Sequence, residues 1–358
     1  MEPATPDQHG GIEERIRLLY DTFGQRKKMG LPEPDLRRPL FFLHRPFLGD
    51  LDLLTIFNTK RCKYQCHFCH LPAKSPKALV SEEDILAQFQ FVVSELKHSL
   101  SLITRFTMSN EGSILDPDTF PFGTLRAIVQ GTRELRMVRR IVMETRLEFM
   151  NRDAIFELRR CNPRVTFDIL TGFESKDREI RDEFLYKQEP ISSFLNGLDA
   201  VAASGCDLTA YVLFKPSPYM TDEEAFQEAE SSIDYLVEHC QSRRIGLTIR
   251  LNPMYAATGT KWAEIARTTP TYKPPRLTDV MKLAQKKSKE GLQLYIGISR
   301  EGIDENWGSY LCREDYSDAL IRPIKLFNER KSLDFGEVLG KMNTGLRLPS
   351  TSPAGSNG

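Results

Sequence analysis

Residues 53–70 read LLTIFNTKRCKYQCHFCH, and this stretch decides the fold. Its first part, residues 53–58, is a short and mostly apolar run of the kind that forms a strand buried on both faces. Its second part sets Cys62, Cys66 and Cys69 in a C-x3-C-x2-C spacing, directly after that strand and before a proline-containing loop. A parallel α/β sheet gathers its chemistry on such loops, at the carboxyl ends of its strands.

Working outward, β-branched runs alternate with longer helical stretches. Residues 53–58, 103–108, 138–143, 165–170, 208–214 and 246–251 are expected strands. Ser81 before Glu82, Glu83 and Asp84 reads as a helix N-cap with acidic first-turn residues, and Thr221 before Asp222, Glu223 and Glu224 reads the same way. Six strand–helix units predict an α/β fold with a parallel sheet, either a partial (β/α)6 barrel or a doubly wound sheet. An amphipathic N-terminal helix is expected over residues 12–29, from Ile16, Leu18, Leu19 and Phe23. The expected organisation is a mobile end over residues 1–12, a core with its leading helix over 13–290, a C-terminal cap over 291–343 and a mobile tail over 344–358. The cap begins with a strand-like run, residues 292–298, and continues into GIDENWGSYLC.

The chain has 358 residues, 40% hydrophobic and 27% charged, the balance of a folded, water-soluble protein. Lys plus Arg and Asp plus Glu number 49 each, so no global field draws it to nucleic acid or anionic lipid. No apolar run approaches the roughly 18 residues of a membrane span, and the start Met1-Glu2-Pro3-Ala4 is no secretory signal. A cytoplasmic location without membrane association is expected. Cys161, Cys206, Cys240 and Cys312 stand alone and read as small buried hydrophobes, while the crowding of the other three cysteines argues for metal or redox chemistry rather than a disulfide framework.

Three thiolates on one loop would leave one iron of a 4Fe-4S cluster without a protein ligand, free to chelate the amino and carboxylate groups of an amino-acid-bearing cofactor. The alternative is a closed Cys3His zinc site completed by His67 or His70, which would make the chain a non-catalytic zinc-binding protein.

The motif with Phe68 just before its last cysteine resembles the signature of the radical S-adenosylmethionine (SAM) superfamily. That resemblance implies a radical SAM type of partial barrel and a 4Fe-4S cluster held by Cys62, Cys66 and Cys69 with exchangeable SAM on the fourth iron. It implies reductive cleavage of SAM to a 5'-deoxyadenosyl radical that abstracts hydrogen from a substrate, and an electron donor such as flavodoxin or ferredoxin. Further segments are similar to the group that contains the archaeosine synthase radical SAM subunit and the Elongator catalytic subunit. Ser109 to Asp116 (SNEGSILD) resembles the group's loop that meets the SAM amino group, which brings in Asn110, Glu111 and Gly112. Met143-Glu144-Thr145-Arg146 resembles its Glu-Thr-Arg, so Glu144 and Arg146 would hold an amino-acid zwitterion or ribose hydroxyls. Thr171-Gly172-Phe173-Glu174-Ser175 assigns Glu174 and Ser175 to the SAM ribose. The stretch from Asp177 to Phe226 places Lys215 at a strand end as a catalytic candidate and Lys187 at a basic helix position. Leu251-Asn252-Pro253-Met254, followed by Thr258-Gly259-Thr260, leaves Asn252 to hold adenine or substrate through its amide. The similarity spans about residues 50 to 285.

The same resemblance implies a tRNA base or a 7-deazaguanine-type nucleoside as substrate. The neutral net charge and the lack of an RNA-binding appendage weigh against tRNA, although Arg26-Lys27-Lys28 and Arg37-Arg38 offer local basic patches. A small molecule or peptide in biosynthesis is the competing substrate class.

Overall fold

Alternation along the strands separates two environments, an apolar one outside the sheet and a polar one inside its curl. The computed structural model describes residues 35–69, 75–110, 112–257, 259–298, 318–331, 334–336 and 339–340. Among them, β1 (Phe41–Phe47), β2 (Asp50–Ile56), β3 (Arg105–Ser109), β4 (Arg140–Glu144), β5 (Thr166–Glu174), β6 (Asp207–Phe214), β7 (Leu247–Pro253) and β8 (Gln293–Ile296) form one sheet in chain order. β1 runs antiparallel to β2, and every later pair is parallel.

Crossover helices follow the parallel strands: α1 (Glu82–Glu95), α2 (Phe122–Gly131), α3 (Arg152–Cys161), α4 (Ile191–Ala203), α5 (Asp222–Ser242), and the pair α6 (Lys261–Thr268) and α7 (Leu277–Lys289). The two expected N-caps are present. The Ser81 hydroxyl accepts from the Asp84 amide, and Thr221 with Glu224 forms a reciprocal capping box that satisfies amides left open at the helix start.

The expected partial barrel of β/α units is therefore observed, with two differences. Residues expected to open a cap pair with β7 as β8, so the parallel part has seven strands rather than six. The β1–β2 hairpin was not foreseen. Its two-residue turn uses Leu48 (φ 50°) and Gly49 (φ 92°), the double left-handed conformation of a type I′ turn, and Leu-Gly is a weaker sequence signal for it than Asn-Gly. The leading helix, both chain ends and residues 299–317 of the expected cap lie outside the described residues.

Outward-facing Leu53, Phe106, Met108, Ile141, Ile169 and Leu208 join the main hydrophobic core beneath the crossover helices. Cys206 and Cys240 are buried in that core and Cys161 packs against it, as expected for small hydrophobes; Cys312 lies outside the described residues. The inward positions carry charge. Asp52 sits 3.2 Å from Arg45 and 3.6 Å from Arg105, which in turn lies 3.6 Å from Asp168, with Arg140 3.9 Å further along. This alternating floor fills the amino-terminal end of the curl. Its net stabilising effect is small because desolvation offsets attraction, but loss of one partner would strand a buried charge.

Among the described residues, the edge strands β1 and β8 do not pair with each other. Phe47 of β1 stacks on Tyr295 of β8 at 4.5 Å, and α8 (Asp318–Asn328) ends in the gap. There the Asn328 side chain accepts from the Ile296 amide and donates to the Ile296 carbonyl, both at 2.8 Å, while its own carbonyl accepts from the Leu48 amide. One side-chain amide thus supplies the hydrogen bonds that a neighbouring strand would have made.

Candidate active site

With the floor filled by the ionic chain, the open end of the curl is the carboxyl end of the strands. A cavity of about 280 Å³ lies there. Its wall includes Cys62, Cys66 and Cys69 from the loop after β2, Glu144 and Arg146 after β4, and Glu174 at the end of β5.

Several contacts tie the cysteine loop to the opposite wall. The Arg146 guanidinium lies 3.8 Å from the Tyr64 ring centroid, donates to Glu148 at 2.8 Å, and donates to the carbonyls of Lys187 and Gln188 at 2.8 and 3.0 Å. The Tyr64 hydroxyl donates to the same Glu148 carboxylate. A second tie is His67, whose amide donates to the Leu185 carbonyl and whose carbonyl accepts from the Trp262 amide. Its Nδ1 faces the Phe184 carbonyl at 2.7 Å and its Nε2 faces Lys261 Nζ at 3.4 Å, which selects the Nδ1–H tautomer. Both ring nitrogens of His67 are therefore engaged away from the cysteines. His70 and Glu111 lie outside the described residues.

The charges on the wall are coupled. Burial pushes the Cys62 and Cys66 thiols up; Arg146 pulls both back, joined by Lys63 at Cys62 and by Lys187 at Cys66. Burial likewise raises the Glu144 carboxyl, against a hydrogen bond to Ser109 and the attraction of Arg250 and Arg45. Glu174 is pushed up to about 7 by burial, against the pull of Lys187, whose Nζ is 3.9 Å away. Lys187 also stands 3.3 Å from the buried Glu189. Asn252 is on the cavity wall, with its Oδ1 buried against Gly297, where an added Cβ would lie 1.8 Å from it.

The geometry at Glu174 is specific. β5 carries a register shift between Gly172 and Glu174, and Glu174 has φ 70°. Gly172 makes room for its carboxyl, since a Cβ there would lie 2.1 Å from Glu174 Oε1. Gly112 brings backbone against the cysteine loop, where an added Cβ would lie 3.5 Å from Cys62 Cβ.

Of the residues singled out from sequence, the structure brings Cys62, Cys66, Phe68, Cys69, Gly112, Glu144, Arg146, Glu174, Lys187 and Asn252 to one cavity. Lys187 is not on a helix. It follows the π-helical turn Glu179–Phe184, between two residues in the left-handed region. Three others point elsewhere. Lys215 is buried and its Nζ is 2.9 Å from Asp222 at the start of α5. Asn110 is buried behind the wall, donating to Thr59, Ser113 and Thr119. Ser175 donates to Glu228 and accepts from the Asp177 amide. Sequence reasoning missed Tyr64, Tyr211, Arg250 and Tyr255 on the wall. Tyr211 and Arg250 had a signal, polar groups interrupting apolar strands at inward positions.

Archaeosine synthase subunit beta of Thermococcus kodakarensis is 22% identical over 275 residues, covering 76% of this chain and 82% of that protein. The chain is similar to the archaeosine synthase beta subunits. A second, from Methanosarcina acetivorans, is 20% identical over 278 residues, covering 75% of this chain and 77% of its own length. No family model matches. Among solved structures, methylornithine synthase aligns over 89% of this chain and 94% of its own at 12% identity, with a TM-score of 0.45.

The donor set fits an iron–sulfur cluster. Cluster thiolates each bind a different iron, so they need not converge on one point as ligands around a single zinc must. Among the described residues, no three His, Cys, Asp or Glu side chains gather as a single-ion site. The cations Arg146 and Lys187 would offset the negative charge of deprotonated cysteines.

Among the described residues, no helix is long and apolar enough to cross a membrane.

Proposed function

We propose that this chain is a radical SAM enzyme that holds a 4Fe-4S cluster through Cys62, Cys66 and Cys69 and acts on a nucleoside of the 7-deazaguanine type, free or within tRNA. One observation carries the reading: three cysteines of a single loop share a cavity with two carboxylates and three cations at the carboxyl end of a partial barrel. The similarity to archaeosine synthase beta subunits supports the nucleoside.

When bound, the cluster and SAM supply one-electron cleavage of the sulfonium to a carbon radical. The chain's own residues do the rest. Glu144 and Glu174 offer acceptors to an ammonium or to ribose hydroxyls, and Glu174, with its pKa near 7, can also donate. Arg146 and Lys187 counter the charge of thiolates and of an amino-acid carboxylate. Asn252 brings a side-chain amide to the wall, and Leu54, Ile56, Phe68, Leu213 and Met254 line it with apolar surface that limits water. Electrons would come from a donor such as flavodoxin or ferredoxin.

The test is anaerobic reconstitution with iron and sulfide, followed by assay of 5'-deoxyadenosine with dithionite and SAM. A brown protein with near-equal iron and sulfide and turnover that Cys66→Ala abolishes is expected. Full turnover by Cys66→Ala, or a colourless protein carrying about one zinc, overturns the proposal.

A further inference from the structure

On either side of Lys187, which lines the cavity, the backbone is strained. Tyr186 has φ 52° and Gln188 φ 55°, a region costly for residues that carry a Cβ. These two alternate with Lys187 and Glu189, so the charged pair is buried while Tyr186 and Gln188 face solvent. Arg146 holds the strained turn through the Lys187 and Gln188 carbonyls. His67 holds it from the side, its ring stacked on Tyr186 at 4.9 Å and 11°. Leu185, next in the chain, enters a small apolar cluster with Trp262, yet Tyr186 stays 40% exposed. Tyr219 is 65% exposed and meets Phe184 edge-on at 6.0 Å. Strain kept next to a cavity-lining lysine, with an aromatic face left open beside it, calls for a use.

We propose that Tyr186, with the exposed Tyr219 as a second ring beyond Phe184, offers a face on which an unpaired base of a nucleic-acid substrate stacks as it approaches the cavity; this rests on the reading of the site given above. A flat ring backed by a second ring offers one free π-face, and every base has a face to match it. Lys261, whose Nζ is 3.4 Å from His67 Nε2, supplies a cation beside the stacked rings. Acids balance them: Asp182 is paired with Arg181 at 2.8 Å, and Glu179 and Glu183 are exposed on the same turn. Binding is thus carried by ring faces more than by field, and its salt dependence is shallow.

The probe is a fluorescein-labelled, unmodified tRNA transcript, with a fully double-stranded RNA as control, titrated by anisotropy against anaerobically reconstituted protein. Expected are about tenfold weaker binding for Tyr186→Ala, recovery in Tyr186→Trp, and a smaller loss for Tyr219→Ala. Fluorescence of the Tyr186→Trp variant is quenched by the transcript and not by the duplex, a signature that a purely structural role would not give. Unchanged affinity in Tyr186→Ala, a steep salt slope with no quenching, or no binding by the wild type overturns the platform. Iron content and 5'-deoxyadenosine are measured on the same samples. Their absence in the wild type defeats the radical SAM reading instead, so the two failures are distinguishable.

Discussion

Replacing Arg146 by alanine tests the central tie of the site. Its side chain is 9% exposed, and its guanidinium pairs with Glu148 at 2.8 Å, donates to two carbonyls and covers the Tyr64 ring. Each hydrogen bond to a charged group contributes about 1.5–3 kcal/mol and the ring contact about 1 kcal/mol, but these share one side chain and are not additive. Comparison with the removal of one partner from a buried pair gives a loss of about 3–5 kcal/mol. The strained Tyr186–Gln188 segment would lose its clamp and the cysteine loop its stacking partner. Urea unfolding of the metal-free protein measures the change as a lower midpoint at unchanged slope. Arg146→Lys keeps the charge but cannot span two successive carbonyls while lying flat on a ring, so it recovers only part of the loss. The Arg146→Ala/Glu148→Ala double variant should be more stable than the sum of the single losses implies. A loss under about 1 kcal/mol for Arg146→Ala would refute the argument, because a buried clamp of this kind cannot be removed so cheaply.

Asn328→Ala should lower stability by about 1–3 kcal/mol in the same assay, because it orphans the Ile296 amide and carbonyl at the sheet edge; an unchanged midpoint would count against closure by α8. Burial holds the Glu228 carboxyl above its ordinary range, against hydrogen bonds from Ser175 and Ser232. Its protonated form is the better fit, so its contribution is fully present below the unfolded carboxyl pKa and is lost as pH rises through the raised native value. Glu228→Gln should therefore flatten the fall in stability on the alkaline side of that window, and an unaltered pH profile would show that the carboxyl is not so perturbed. Burial pushes the Cys206 and Cys240 thiols up to about 12. Mass spectrometry of native metal-free protein treated with iodoacetamide should find Cys62, Cys66, Cys69 and Cys161, all partly exposed, modified before those two.

Much of the fold was legible because strand and helix periods differ and the caps are strong. Ser81 and Thr221 begin helices where their side chains foretold it, and the run before Cys62 is a central strand with its loop at the chemical end of the sheet. The β1–β2 hairpin escaped because its turn sequence is unusual; β8 was read as a strand, but its place in the sheet escaped because a lone short strand after a long helix gives no local clue to its partner. In the site, residues with a spacing were readable and residues with only a direction were not. Lys215 and Ser175 sit at strand ends as the pattern suggested, but each turns to a helix carboxylate instead of the cavity.

The sequence by itself determined the three-cysteine loop, the order of the β/α units and the apolar outer face of the sheet, since these follow from spacing and local period. Only the tertiary structure decided which polar side chains converge. Tyr64, Arg146, Glu148 and the strained turn at Tyr186 come from three separate loops, and their meeting depends on the curl of the sheet and on left-handed residues that reverse the direction of neighbouring side chains. No periodicity along the chain encodes that, because it is set by which strand ends a curved sheet brings face to face.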